Sequence, residues 1–261
     1  MSQFSVLLQK EWRENVRNYK IFWIPVVFIL FGIMEPVINY FLPQILDSVG
    51  GLPEGAVLEI PTPTPEQILV AVTGQYQFIG MLALILAYMG TVAGERKSGT
   101  ATLLYVRPLS FSAYFLSKWL MASLIALLSL WLGLLAAYYY TLLLFDTVNF
   151  ADFLRFAATY SVWVVLIVSI VLAASAALPN AGMAAAVSLG SVLLMQLVDG
   201  LIGAYWSVSP LKIPVYAASW LNGRIDLVDF WISIGLVAVV IALLLIAGIW
   251  ASRLNASKAK V

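Results

Sequence analysis

Polarity along this chain changes in long blocks. Apolar runs fill roughly residues 21–42, 68–93, 115–144, 156–178, 182–204 and 229–251, with short polar interruptions between them. A helix needs about 20 mainly apolar residues to cross the hydrocarbon core of a bilayer. The runs are rich in Leu, Ala and Val without two-residue alternation, which favours helices over barrel strands, and a helix satisfies its own backbone where no water can. The pattern predicts an all-α integral membrane protein with six transmembrane helices, forming one transmembrane domain over residues 1–261.

Two shorter patterns flank the runs. Phe4, Leu8, Trp12, Val16 and Tyr19 recur every three or four residues, while Lys10, Arg13, Arg17 and Lys20 recur on a separate face. Residues 1–20 are therefore expected to form an amphipathic interface helix, its basic side toward anionic headgroups. It could serve as a plain topology anchor, as a mechanical element, or as both. Between the fifth and sixth runs, "SVSPLKIPVYAASWLNGR" is moderately apolar and interrupted by Pro210 and Pro214. That is too short to cross twice, so residues 205–228 predict an outer re-entrant or interfacial segment. "PTPTP" at 61–65 cannot be helical throughout, because alternate prolines remove donors and force extended neighbours.

Charge placement sets the expected orientation. Basic residues gather before the first run, in the 94–118 connector (Arg96, Lys97, Arg107, Lys118) and in the tail (Arg253, Lys258, Lys260). The opposite side holds only Arg155, Lys212 and Arg224, and its 43–67 loop is acidic through Asp47, Glu54, Glu59 and Glu66. Both termini and the connector are thus expected to be cytoplasmic. Trp23, Trp119 and Trp250 fit an interfacial belt at that side, but Trp131 falls mid-span.

Composition narrows the chemistry. With 62% hydrophobic and 10% charged residues the chain is a membrane protein, and a net charge of +1 gives no sign of a nucleic-acid partner. It has no Cys and no His, which removes thiolates, imidazole bases and the commonest transition-metal ligands. No Gly-Lys dipeptide occurs, so a phosphate-cradling loop of the G-x-x-x-x-G-K-[ST] type is absent. No catalytic, cofactor-binding or metal-binding residue is expected in this chain.

Polar residues inside the runs need a reason. An acid at the bilayer centre costs about 2.5–3.5 kcal/mol, so it should face protein, water or an interface. Glu35 stands in "GIMEPVINY" with Asn39 one turn on, where Pro36 should break the backbone pattern, and Asp199 stands in "VDGLIGAYW". Glu35, Asn39 and Asp199 are open to two uses, hydrogen-bonded helix contacts or a substrate pathway. Gly80, Ala83, Ala87, Gly90 and Gly94 line one face of the second run, and Gly182, Ala186 and Gly190 one face of the fifth. Such stripes permit close helix approach, within the chain or against a second copy.

The connector "GERKSGTATLLYVRPLSFSAYFLSKW", residues 94–119, is the most polar long stretch in the middle of the chain. The second run ends near Gly94, Ser98 can cap a short helix, Pro108 ends it, and Ser110 or Ser112 can cap the next. Leu103, Leu104, Tyr105, Phe111, Tyr114 and Phe115 need a surface, either their own bundle or a docked partner. Gly94, Glu95, Ser98, Gly99, Thr100, the Leu103–Leu104 pair, Pro108, Tyr114 and Lys118 resemble the signature of ABC-2-type permeases, the membrane subunits of ATP-binding-cassette transporters. Six spans, an N-terminal amphipathic helix and the chain length are similar too.

The resemblance implies that Glu95, Arg96, Ser98, Gly99, Thr100, Leu103, Leu104, Arg107 and Pro108 form a coupling element seated on a separate cytosolic ATPase subunit, which binds Mg-ATP. It also implies an interface "elbow" carrying Lys10, Trp12, Arg13 and Arg17, a second permease copy, export, and a location in a bacterial or archaeal plasma membrane. The apolar pathway suits a hydrophobic or amphipathic cargo. The alternative is an ATPase-independent carrier or a membrane scaffold.

Overall fold

The computed structural model describes residues 3–49, 63–99, 110–223 and 225–258, and those residues contain no strand. Six segments are long and apolar enough to cross a membrane: Lys20–Ile45, Pro65–Lys97, Phe111–Leu144, Phe150–Ala177, Ala181–Tyr205 and Leu227–Asn255. Each matches one of the expected runs, the fourth ending one residue before its run does.

Helix α1 (Gln3–Arg17) precedes the first span. A two-residue corner joins it to α2 (Lys20–Val49), where Tyr19 takes a left-handed φ of 56°, uncommon for a bulky residue. Pro25, Pro36 and Pro43 all lie inside α2, so Pro36 does not break the helix as expected. Each proline removes one backbone hydrogen bond. Packing along the third span, the most extensive helix contact present, carries α2 past them.

The second span is the irregular one. Helix α3 (Pro65–Gln75) starts on a capping box between Thr64 and Gln67, then a π-turn (Tyr76–Gly80) leads into α4 (Met81–Tyr88). After a turn, α5 (Ala93–Lys97) continues past Gly94, the expected end of the span. The π-turn aims Tyr76 between the first and third spans. Its hydroxyl donates to the Phe28 carbonyl at 2.7 Å, and a Cβ on Gly32 would stand 2.7 Å from the Tyr76 hydroxyl oxygen. Gly32 and Gly133 let the two backbones meet there. Extra residues of this kind within a helix often accompany functional sites.

Helix α6 (Phe111–Leu144) is capped by Ser110, α7 (Phe150–Ala177) by Asn149 and α8 (Ala181–Ile202) by Asn180. The α6–α7 seam explains the mid-span tryptophan. Trp119 donates to Ser169 at 2.8 Å, Trp131 to Ser161 at 3.1 Å, and Tyr138 stacks on Phe153 at 4.4 Å. Numbers rise on one helix as they fall on the other, as in any antiparallel pair. The indole N–H groups are thus satisfied by serines inside the bundle.

Helix α7 is the central, most buried span, while α8 and α10 (Leu227–Lys258) lie mostly exposed on the outside. Between them come two 3-10 turns, Gly203–Tyr205 and Pro210–Lys212, and α9 (Ile213–Leu221), nine residues long and far too short to cross. Trp220 ties α9 to α7 through a 3.0 Å bond to Thr159, and Arg155 lies over the Trp220 ring.

The small-residue stripes divide. Gly80, Ala83 and Ala87 are buried, and a Cβ on Gly80 would stand 3.1 Å from the Phe28 ring. Gly182, Ala186 and Gly190 instead lie on the exposed face of α8. Packing within the chain uses Ala184, Ser188 and Val192, each fully buried, so the expected contact of that stripe inside this chain is corrected.

Candidate functional site: a buried charge junction beside the connector

Helix α1 meets the bundle along Leu7, Glu11 and Asn15, spaced four residues apart and all buried. This places Glu11 against Lys118, one turn after Tyr114 on α6, and against Glu95 on α5. Lys118 donates to Glu11 Oε1 and to Glu95 Oε1, both at 2.8 Å. Lys10 reaches Glu11 at 3.0 Å and Glu14 at 3.1 Å and also bonds Glu95, while the Tyr114 hydroxyl donates to Glu95 Oε2 at 2.6 Å. The Lys20 ammonium lies 5.0 Å from the centre of the Tyr88 ring nearby.

Lys118 is 1% exposed, Glu11 3% and Glu95 8%. Buried charges survive only when paired and hydrogen-bonded, and here each carboxylate receives two or more donors. Burial lowers the affinity of Lys10 for its proton, but Glu11 and Glu95 outweigh it and hold the group above its ordinary value. The carboxylates of Glu11, Glu14 and Glu95 lie within 4.8 Å of one another, as a cation site would need. Two ammonium groups already stand among them.

The next residue faces the other way. Arg96 donates to the carbonyl of Ser175 at 3.0 Å and to that of Leu178, satisfying the C-terminal end of α7. Ser175 Oγ accepts the backbone N–H groups of Val92 and Ala93 at 3.0 and 3.1 Å. Glu95 and Arg96 thus fasten α5 to α1 and α6 on one side and to α7 on the other. Ser98 closes α5 at its C-terminal end, its hydroxyl on the Glu95 carbonyl at 3.2 Å. Gly99 follows at φ 75°, a conformation glycine adopts without strain. Thr100, Leu103, Leu104, Arg107 and Pro108 lie outside the described residues.

The basic face of the interface helix is corrected in part. Lys10 turns into the junction rather than toward headgroups, because Glu11, Glu14 and Glu95 draw it in. Arg13, Arg17 and Trp12 remain exposed, and so does Tyr19, which was assigned to the apolar face. Sequence reasoning misses Glu11 as a site residue and assigns Lys118 only to topology and the family signature. The available signals were an acid within a basic helix and a lone lysine within an apolar run.

The polar residues of the spans occupy two separate places. Glu35 accepts from Gln75 of α3 and from Asn39 at 3.2 Å, and Asn39 also donates to the Glu35 carbonyl at 2.9 Å. This is a polar contact between the first two spans. Asp199 pairs with Lys212 at 3.0 Å and accepts from Trp206 at 3.3 Å. It lines a cavity of about 180 Å³ with Gln77, Trp163, Gln196, Leu211 and Pro214, a lining that includes neither Glu35 nor Asn39. Gln196 donates there to the carbonyl of Gln77 in the π-turn, at 3.3 Å.

A helical bundle with six such spans, the end of the second fastened to three helices, is a multi-pass membrane protein. Comparison with known families gives a match over residues 5–215 to the ABC-2 family transporter proteins, and the chain belongs to that family. It is also similar to YxlG, an uncharacterized transmembrane protein of Bacillus subtilis (strain 168), at 34% identity over 208 residues, covering 79% of this chain and 81% of that one.

Proposed function

We propose that this chain is the permease subunit of an ABC-2 transporter, driven by separate cytosolic ATPase subunits that bind Mg-ATP and seat on residues 95–108. The observation that carries the reading is the junction at Glu95. The first turn of the connector shares buried charges with α1 and α6 and caps α7, so a push on the connector would move three helices together. In this reading both termini and the connector face the cytoplasm, and α1 is the elbow that transmits the stroke along the membrane surface.

Two copies would enclose the path. The outward stripe of Gly182, Ala186 and Gly190 suits the second copy, since small residues let helices approach closely in lipid. A cavity lined by aromatic, amide and aliphatic side chains beside the carboxylate of Asp199 fits a hydrophobic or amphipathic cargo moved outward.

The test is co-purification. Tagged protein is extracted gently from its native membrane and its companions are identified by mass spectrometry. A stoichiometric soluble chain with a P-loop, whose ATP turnover changes on adding this protein, supports the reading. Recovery of the protein alone, with no added ATPase responding, overturns it.

A further inference from the structure

A groove of about 490 Å³ runs between α1 and the end of the second span. Lys10, Arg13, Glu14 and Arg17 form one wall, with Gly90 and Gly94 opposite. Its size falls within the roughly 300–1,000 Å³ typical of small-molecule sites. The missing side chains keep it open: a Cβ on Gly94 would meet nothing within 4 Å, and one on Gly90 only Ala181 at 3.7 Å.

The charges in the groove are unequal in their state. Glu14 is taken up by Lys10 at 3.1 Å, and Glu95 is shared by Lys10 and Lys118. Arg13 and Arg17, four residues apart on one face, are exposed and make no hydrogen bond or ion pair with any described residue. Two guanidinium groups with no partner among the described residues thus line a groove whose acids are already paired. A guanidinium presents a planar fork of donors that fits phosphate oxygens two at a time.

Position selects the source of the phosphate. The corner at Asn18–Tyr19 joins α1 directly to the first span, so the groove lies where the spans end. Val6, on the same face as Lys10, Arg13 and Arg17, and Trp12, beside Arg13, are about half exposed. Apolar and indole side chains alternating with cations are typical of the headgroup level of a bilayer. We propose that this groove binds the phosphate headgroup of an anionic phospholipid, clamped by Arg13 and Arg17, with Gly90 and Gly94 leaving room for it. The inference does not depend on the ATPase.

The experiment uses the full chain in membrane mimetics containing equal phosphatidylglycerol and phosphatidylcholine, with retained lipid read by native mass spectrometry after partial delipidation. The wild type is expected to retain phosphatidylglycerol selectively. Arg13→Gln and Arg17→Gln should each weaken retention roughly fivefold, the value of one cation near an anionic surface. Gly94→Leu fills the groove without altering a charge and should lose the same lipid, whereas Arg155→Gln, at a distant paired arginine, should not. Equal retention of both lipids, or unchanged retention in the double arginine variant, overturns the proposal. So does displacement of the lipid by excess inorganic phosphate that itself binds the detergent-purified protein, which would make this a site for a soluble anion.

Discussion

Glu95 and Lys118, at the two ends of the connector, meet at 2.8 Å in a buried site. They lie 23 positions apart in sequence, and this one buried ion pair joins the end of the second span to the start of the third. Lys118→Met leaves Glu11 and Glu95 short of a donor, and removing one member of a buried pair typically costs about 3–5 kcal/mol. A lowered thermal midpoint in mild detergent is expected. Adding Glu95→Gln to Lys118→Met should recover part of the loss, since fewer unpaired charges then remain. A double variant worse than the sum of the singles would show that the pair is not the source of the stability.

Lys10 adds a pH expectation. Its folded-state pKa is raised, because Glu11 and Glu95 overcome the burial that opposes its charge. Its contribution is therefore fully present below its ordinary value of 10.5 and is lost only as pH rises through the higher folded value. Lys10→Met should lower the thermal midpoint by the same amount at pH 7 and pH 9. A difference that vanishes between those values would mean that the ammonium is not held by its carboxylates.

The glycines of the first and third spans form a second constraint. A Cβ on Gly133 would stand 2.6 Å from the Phe28 carbonyl oxygen and closer still to the Tyr76 hydroxyl. The hydroxyl can be removed but the carbonyl cannot. Gly133→Ala should destabilise by about 1–3 kcal/mol, as overpacking does. Tyr76→Phe added to it should not restore the midpoint, because it also deletes the 2.7 Å bond to Phe28. Full rescue would place the strain on the hydroxyl alone.

Span number and position were legible because apolar length is a property of each segment by itself. The helix caps at Ser110 and the weak orientation value of Trp131 were legible for the same local reason. What a side chain pairs with was not. Lys10 belongs by spacing to a basic face, yet three carboxylates from two helices turn it inward, which no periodicity within α1 reveals. The α8 stripe was seen, but its direction depends on which neighbours α8 packs against, and Ser188 rather than Gly190 is the buried residue. The π-turn at Tyr76–Gly80 leaves no compositional trace, and it shifts every residue after it around the helix.

That outward stripe gives a test of the second copy. The chain has no cysteine, so a single introduced thiol reports without background. Gly190→Cys in native membranes should form a disulfide-linked dimer on mild oxidation, whereas Val239→Cys, exposed on α10, should not. Equal cross-linking at both positions would reflect random collision, and the stripe would lose its claim as the contact.

The far end of the bundle carries an ion pair beside a cavity, which can be tested as a latch. Asp199, late in α8, holds Lys212 of the segment between α8 and α10 at 3.0 Å, and Gly203 beside them has no room for a Cβ, which would lie 2.6 Å from Asp199 and 2.7 Å from Lys212. Asp199 lines the cavity that Val215 also lines. If outward release opens this cavity, a thiol at Val215→Cys should react faster with a membrane-impermeant reagent during ATP turnover than at rest. Asp199→Asn, which removes the ion pair but keeps the side-chain shape, should raise the resting rate toward the turnover rate. The salt dependence separates the latch from general loosening. A partly exposed ion pair weakens as ionic strength rises, so the resting rate should climb with salt in the wild-type background and stay flat in Asp199→Asn. Identical rates with and without turnover would leave α9 as a fixed cover, held to α7 by Trp220 and Thr159.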